Sequence, residues 1–210
     1  MGRPQLYRAA IIVAALALCD WSELVVGERG LHQGIGDSMH EFFAPANAAL
    51  HTNPRWANAA LIAISGLVDL AGVGLLLWSI FGKSIRPFIG LLLLYGMRQT
   101  VEALCAMPPP EGMIWRYPGF PSLLVNYDVT NDFYFSGHTA MIVYATAEMA
   151  MLRRWLGVAF GLLCVIFVVV VLFSLRAHYT MDVFAGGVAA VMAMLIASII
   201  AKPLDRWFSR

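Results

Sequence analysis

Long apolar runs alternate with short polar ones along this chain of 210 residues. A helix needs about 20 apolar residues to cross about 30 Å of hydrocarbon. Runs of that length occur at 6–26, 57–81, 87–107, 133–152, 155–175 and 179–201, and they predict six transmembrane helices. Two connections are long, 27–56 and 108–132, and the other three are tight. The second and third, fourth and fifth, and fifth and sixth spans are therefore expected to pack as antiparallel neighbours. The pattern reads as an all-α polytopic bundle, one domain over residues 1–210, with no soluble domain and no repeat.

Composition agrees with a protein dissolved in lipid rather than water, with 60% hydrophobic and 13% charged residues. Fourteen Lys and Arg against thirteen Asp and Glu leave a net charge of +1. That excludes a basic field for gripping nucleic acid. Cys19, Cys105 and Cys164 fall in separate apolar runs and read as buried free thiols. The first run follows Arg3 and Arg8 but ends without a small-x-small cleavage site, so it reads as a retained helix rather than a secretory signal. Nine of the fourteen basic residues lie at the N-terminus, the second and fourth connections and the C-terminal tail; four lie on the opposite side, and Arg98 is inside a span. The asymmetry predicts both termini in the cytoplasm and both long connections outside.

Charges inside a span cost about 2.5–3.5 kcal/mol each on insertion scales. Asp20, Glu23, Asp69, Arg98, Glu102, Glu148 and Asp182 are such positions. Asp20 and Glu23 can reach the interface, while Asp69 and Glu148 are expected to bond between helices, in protonated form if need be. In the predicted topology Arg98 and Glu102 end the third span, His138 opens the fourth, and His178 and Asp182 open the sixth. All five gather on the outer side.

The spacing of His178 and Asp182 predicts a helical i,i+4 pair, in which the carboxylate holds one ring nitrogen protonated and leaves the other to attack or to take a proton. His138 would supply a general acid for a departing oxygen. Gly137, at a helix start, would let a substrate oxygen approach backbone N–H groups, and Arg98 is the candidate phosphate ligand, with Glu102 orienting it. Together these suit phosphoryl transfer. His32, His40 and His51 have spacings that fit no compact ligand set and are expected to be solvated loop residues. Outer-side aromatics including Trp115, Tyr127 and Tyr179 read as an interfacial belt, of which a subset could cage a quaternary ammonium. The 108–132 connection is long enough to act as a lid.

The segments Ser136-Gly137-His138-Thr139 and His178-Tyr179-Thr180-Met181-Asp182-Val183 are similar to the signatures of the sphingomyelin synthase-related family, a branch of the type-2 phosphatidic acid phosphatase superfamily. Arg98-Gln99-Thr100 before Pro108, and Gly36-Asp37-Ser38-Met39-His40-Glu41, resemble two weaker family segments. The resemblance implies a six-helix, metal-independent enzyme without cofactor, its site facing the extracytoplasmic side. It implies His178 as nucleophile or base, Asp182 as its orienter and His138 as acid. Arg98, Glu102, Asp132, Gly137 and Tyr179 would bind substrate. The implied reaction moves phosphocholine or phosphoethanolamine from a phospholipid to a lipid alcohol such as ceramide, or to water, releasing diacylglycerol; whether His178 is phosphorylated or acts as a base stays open. The superfamily's Lys and Arg-Pro motif is missing, which weighs against the alternative of a plain lipid phosphate phosphatase. A third alternative is a transporter relaying protons through Asp69, Glu148 and the histidines.

Overall fold

The structure, a computed structural model, describes residues 35–105, 107–127, 133–152 and 154–208. The chain divides into Met1–Gly36 and Asp37–Arg210. The expected first span at 6–26, with Asp20, Glu23 and Cys19, lies outside the described residues, as do His32 and Asp132. The described residues form seven helices and no strand: α1 (Ser38–Phe42), α2 (Ala44–Thr52), α3 (Pro54–Phe81), α4 (Arg86–Leu104), α5 (Gly137–Met151), α6 (Trp155–Ser174) and α7 (Thr180–Phe208).

Three of them, α3, α6 and α7, are long and apolar enough to cross a membrane, which makes this a membrane protein. The other two expected spans fall short for physical reasons. Helix α4 ends at Leu104 and carries Arg86, Arg98 and Glu102. Helix α5 has 15 residues, about 22 Å at 1.5 Å per residue. It starts late because 133–136 is irregular and Ser136 takes the N-cap, its hydroxyl accepting from the Thr139 amide at 3.3 Å. The long connection 27–56 contains α1 and α2, which the apolar pattern did not announce.

Helix α7 packs on α5 and α4, α5 also on α6, and α3 on α5 and α4. The expected pairing of the last two spans, α6 and α7, is not a principal contact. The reason is a stripe of small side chains. Ala190, Ala193, Ala197 and Ala201 are fully buried and let α7 lie close to its neighbours, as small residues do where lipid supplies no hydrophobic drive. Gly186 continues the stripe, since a Cβ there would collide with the Ser136 carbonyl. One core joins Leu61, Ile64 and Val68 of α3 to Ile142, Val168 and Leu172; the other gathers Leu75, Leu94, Phe135 and Tyr144 against α7.

The two mid-span acids have separate partners. Glu148, fully buried, receives both Nε (3.1 Å) and Nη2 (2.7 Å) of Arg86 and the Tyr144 hydroxyl at 3.0 Å. The expected bond between helices is thus present, running from α5 to Arg86 at the start of α4. Asp69 bonds not to a helix but to the 107–127 segment, accepting from the Ser122 hydroxyl and the amides of Leu123 and Leu124, all at 3.0 Å. Asp205, from the end of α7, accepts from the Ser84 hydroxyl at 2.6 Å and the Ile85 amide at 2.9 Å, closing the start of α4. Cys105 and Cys164 are free and half-buried rather than buried.

Candidate active site

After α6 the chain turns through Arg176, whose φ of 50° lies in the left-handed region, and enters α7 at Thr180. His178 therefore precedes the helix, and the expected i,i+4 pair on one helical face is instead a capping arrangement. Tyr179 is the N-cap and Asp182 the third helical residue. The Asp182 carboxylate reaches back as in a capping box: Oδ2 accepts from the Tyr179 amide at 3.0 Å and pairs with His178 Nδ1 at 3.1 Å. Oδ1 accepts from the amide of Tyr134 at 2.9 Å, a residue held at φ 90°. The carboxylate is fully buried and His178 nearly so. With Nδ1 turned to Asp182, the nitrogen of His178 left for chemistry is Nε2.

The same turn fixes the second histidine. The Ser136 amide donates to the Asp182 carbonyl at 3.0 Å, so α5 begins against the first turn of α7. His138, second residue of α5, stands with its ring 6.3 Å from that of His178 and edge-on to Trp115 at 5.6 Å. Its Nε2 is buried and has no hydrogen-bond partner among the described residues. An orphaned polar atom of this kind marks a place that a ligand or water fills.

Both histidines line a cavity of about 720 Å³. Arg98, Gln99, Glu102 and Asn126 join them at its polar part, and the remaining wall is mostly Leu, Phe and Val side chains from α3, α4 and the 107–127 segment. Arg98 Nε donates to Glu102 at 2.5 Å, with 29% and 15% of the two side chains exposed. Gly137 also lines the cavity; a Cβ there would meet Arg98 at an ordinary 3.8 Å. The protein's own packing leaves room at Gly137. Tyr179 is not in the wall. Its hydroxyl donates to the Pro108 carbonyl at 3.2 Å and its amide to Asp182, so in this structure it supports the turn that carries His178.

The 107–127 segment forms one side of the cavity and is tied down at several points. Besides Asp69, Ser65 and Tyr127 share a hydrogen bond at 2.6 Å, and the Ile114 amide donates to Leu175 at 2.8 Å. Burial pushes the Tyr127 hydroxyl above its usual 10. The rings of Trp115 and Tyr127 lie tilted against each other, 5.0 Å apart, and of these two only Trp115 reaches the cavity.

His40 corrects the sequence reading most directly. It is buried, with Nε2 donating to the His178 carbonyl at 2.9 Å and its ring 5.4 Å from that of Tyr179. Three residues earlier, Asp37 caps α1 through the Met39 amide and accepts from the amide and hydroxyl of Thr180 at 2.5 and 2.7 Å. Burial would raise the Asp37 carboxyl, but the Thr180 and Met39 donors and nearby His40 outweigh it and hold the group below 3.8. The only sequence signal was the likeness of 36–41 to a family segment. His51 is exposed as expected but stands in the last turn of α2 rather than in a loop, and its Nε2 donates to the Gly112 carbonyl at 3.1 Å.

The sequence model of the AtPDCT1/2 family matches residues 39–199, a stretch that spans both histidine segments, the Arg98 helix and most of the cavity wall. No curated protein and no solved structure matches the chain. The family match overturns assignment to the sphingomyelin synthase-related family, with which the two histidine segments share their pattern, and it removes the ground for ceramide as acceptor. Lipid headgroup transfer is common to both. The chain belongs to the AtPDCT1/2 family, the phosphatidylcholine:diacylglycerol cholinephosphotransferases.

Proposed function

We propose that this protein moves phosphocholine from phosphatidylcholine to the free hydroxyl of diacylglycerol, with His178, Asp182 and His138 carrying the chemistry and Arg98 holding the phosphate. The observation that carries the reading is the cavity itself. It has two histidines 6.3 Å apart, an arginine and a buried unpartnered nitrogen at its polar part, and an apolar wall fit for acyl chains.

In this reading His178 Nε2 attacks phosphorus and the bond to the glycerol oxygen breaks. His138 gives its proton to that oxygen, and the first diacylglycerol leaves. The second diacylglycerol returns a proton to His138, its oxygen attacks the same phosphorus, and the P–N bond to His178 breaks to give a new phosphatidylcholine. The buried Asp182 carboxylate keeps a proton on Nδ1 and offsets the charge on the phosphorylated ring. The anionic phosphodiester, once seated, replaces the water His138 lost on burial and stabilises its imidazolium form. Arg98 and the open backbone at Gly137 balance the equatorial oxygens. One polar region must receive both lipids, which favours their occupying it in turn with the head group resting on His178 between them.

In this reading the histidines lie on the extracytoplasmic side of the bilayer. The excess of basic residues at the termini and in the second and fourth connections of the hydropathy pattern supports that orientation. The test offers the purified protein phosphatidylcholine with a deuterated head group, together with diacylglycerol or ceramide of distinct acyl length. Mass spectrometry should find the label on the new diacylglycerol backbone. Label appearing on ceramide, or as free phosphocholine in place of lipid product, would reject this acceptor.

A further inference from the structure

We infer that His40 is a positioning residue that fixes the backbone of His178 and thereby the line along which its ring meets phosphorus. The inference rests on His178 being the attacking residue. The ladder of α7 begins at the Tyr179 carbonyl, which accepts from the amides of Asp182 and Val183 at 3.1 and 3.3 Å. The carbonyl of His178 lies one residue before that ladder and goes instead to His40 Nε2, 138 positions away in sequence, at 2.9 Å.

Neighbouring contacts make this bond part of a clamp. Asp37 grips Thr180 by amide and hydroxyl, the His40 ring lies against Tyr179, and Arg176 Nη2 donates to the His40 carbonyl at 3.2 Å. Three consecutive residues, 178 to 180, are thus held from outside by α1 and the residue that caps it. Asp182 sets the rotation of the His178 ring and His40 sets where its backbone stands. The two constraints are independent, since they act on Nδ1 and on the carbonyl. His40 is not in the cavity wall, so its loss leaves lipid contacts in place, whereas a misplacement of about 1 Å at a reacting atom can cost about 100-fold in rate.

The test compares His40→Ala, His40→Gln and Thr180→Val, assayed with phosphatidylcholine and diacylglycerol and normalised to folded protein by size exclusion. His40→Ala should lose at least about tenfold in kcat with KM for both lipids nearly unchanged. His40→Gln, whose amide nitrogen can donate at similar reach, should recover most of the loss. Thr180→Val, which removes one hydroxyl from the clamp, should lose severalfold in kcat should His40→Ala fail to fold. Wild-type kcat per folded molecule in His40→Ala, or in Thr180→Val where His40→Ala does not fold, or a His40→Gln as slow as His40→Ala, overturns the inference. His178→Ala is the separate control. Turnover persisting in it removes the reading of the site, while its silence beside a fully active His40→Ala removes only the positioning role.

Discussion

The carboxylate of Asp182 lies 3.1 Å from His178 Nδ1 although the histidine stands outside the helix that carries the aspartate. One oxygen serves the ring and the Tyr179 N-cap amide, and the other serves Tyr134. The same group therefore starts a helix, anchors the segment before α5 and sets the tautomer of His178. Asp182→Asn keeps the shape but turns an N–H toward at least one donor. Turnover should fall by about 100-fold or more, and stability by about 1–3 kcal/mol for the donor left unsatisfied. Steady-state rates and thermal unfolding check both.

Arg98 is tied to Glu102 one helical turn on, and both face the cavity. If the guanidinium holds the phosphate through its planar fork, Arg98→Lys keeps the charge but not the geometry. The variant should unfold near the wild-type temperature and lose at least about tenfold in turnover, about 1.4 kcal/mol of transition-state stabilisation. Full turnover in Arg98→Lys, or recovery of both folding and activity when Arg98→Ala is combined with Glu102→Gln, would assign Arg98 to the ion pair alone.

Glu148 shares α5 with His138 but sits ten residues on, about 15 Å along the helix. Its ties run to Arg86 and Tyr144. Removing it strands a half-buried guanidinium, so Glu148→Ala should cost about 3–5 kcal/mol of stability while kcat per folded molecule stays near wild type. A proton-relay role for Glu148 would show the opposite pattern, lost turnover at unchanged stability.

The Asp37 carboxyl has a folded-state pKa below its usual 3.8. Its grip on Thr180 therefore contributes fully to stability above 3.8 and is lost as pH falls below that toward the folded value. Melting temperatures of wild type and Asp37→Asn should differ by a constant amount well above pH 3.8 and converge below it. A gap that widens on acidification would contradict the sign.

The sequence disclosed the histidine site because its residues are chemically costly where they lie. Charges and histidines at the ends of apolar runs stand out, and Arg98, Glu102, His138 and His178 do meet in one cavity wall with Asp182 directly behind. What it hid depends on long-range backbone contacts. His40 looked solvated because nothing in 27–56 shows that α1 folds onto residue 178. Asp69 looked like an inter-helix acid because its partners, the amides of Leu123 and Leu124, carry no side-chain signature. The partners of α7 follow from its alanine stripe, which hydropathy alone scores as merely apolar. The two histidine segments also pointed to a neighbouring family, since a motif of a few residues specifies the chemistry of phosphoryl transfer more closely than it specifies the acceptor.

The most direct measurement of the central claim is a pulse of head-group-labelled phosphatidylcholine given to the purified protein without acceptor, followed by rapid quench and peptide mapping. Phosphocholine should be found bound through His178, absent from His178→Ala, and discharged into new phosphatidylcholine when diacylglycerol is added. Undiminished transfer by His178→Ala, or label bound with equal yield when that histidine is missing, would contradict the claim.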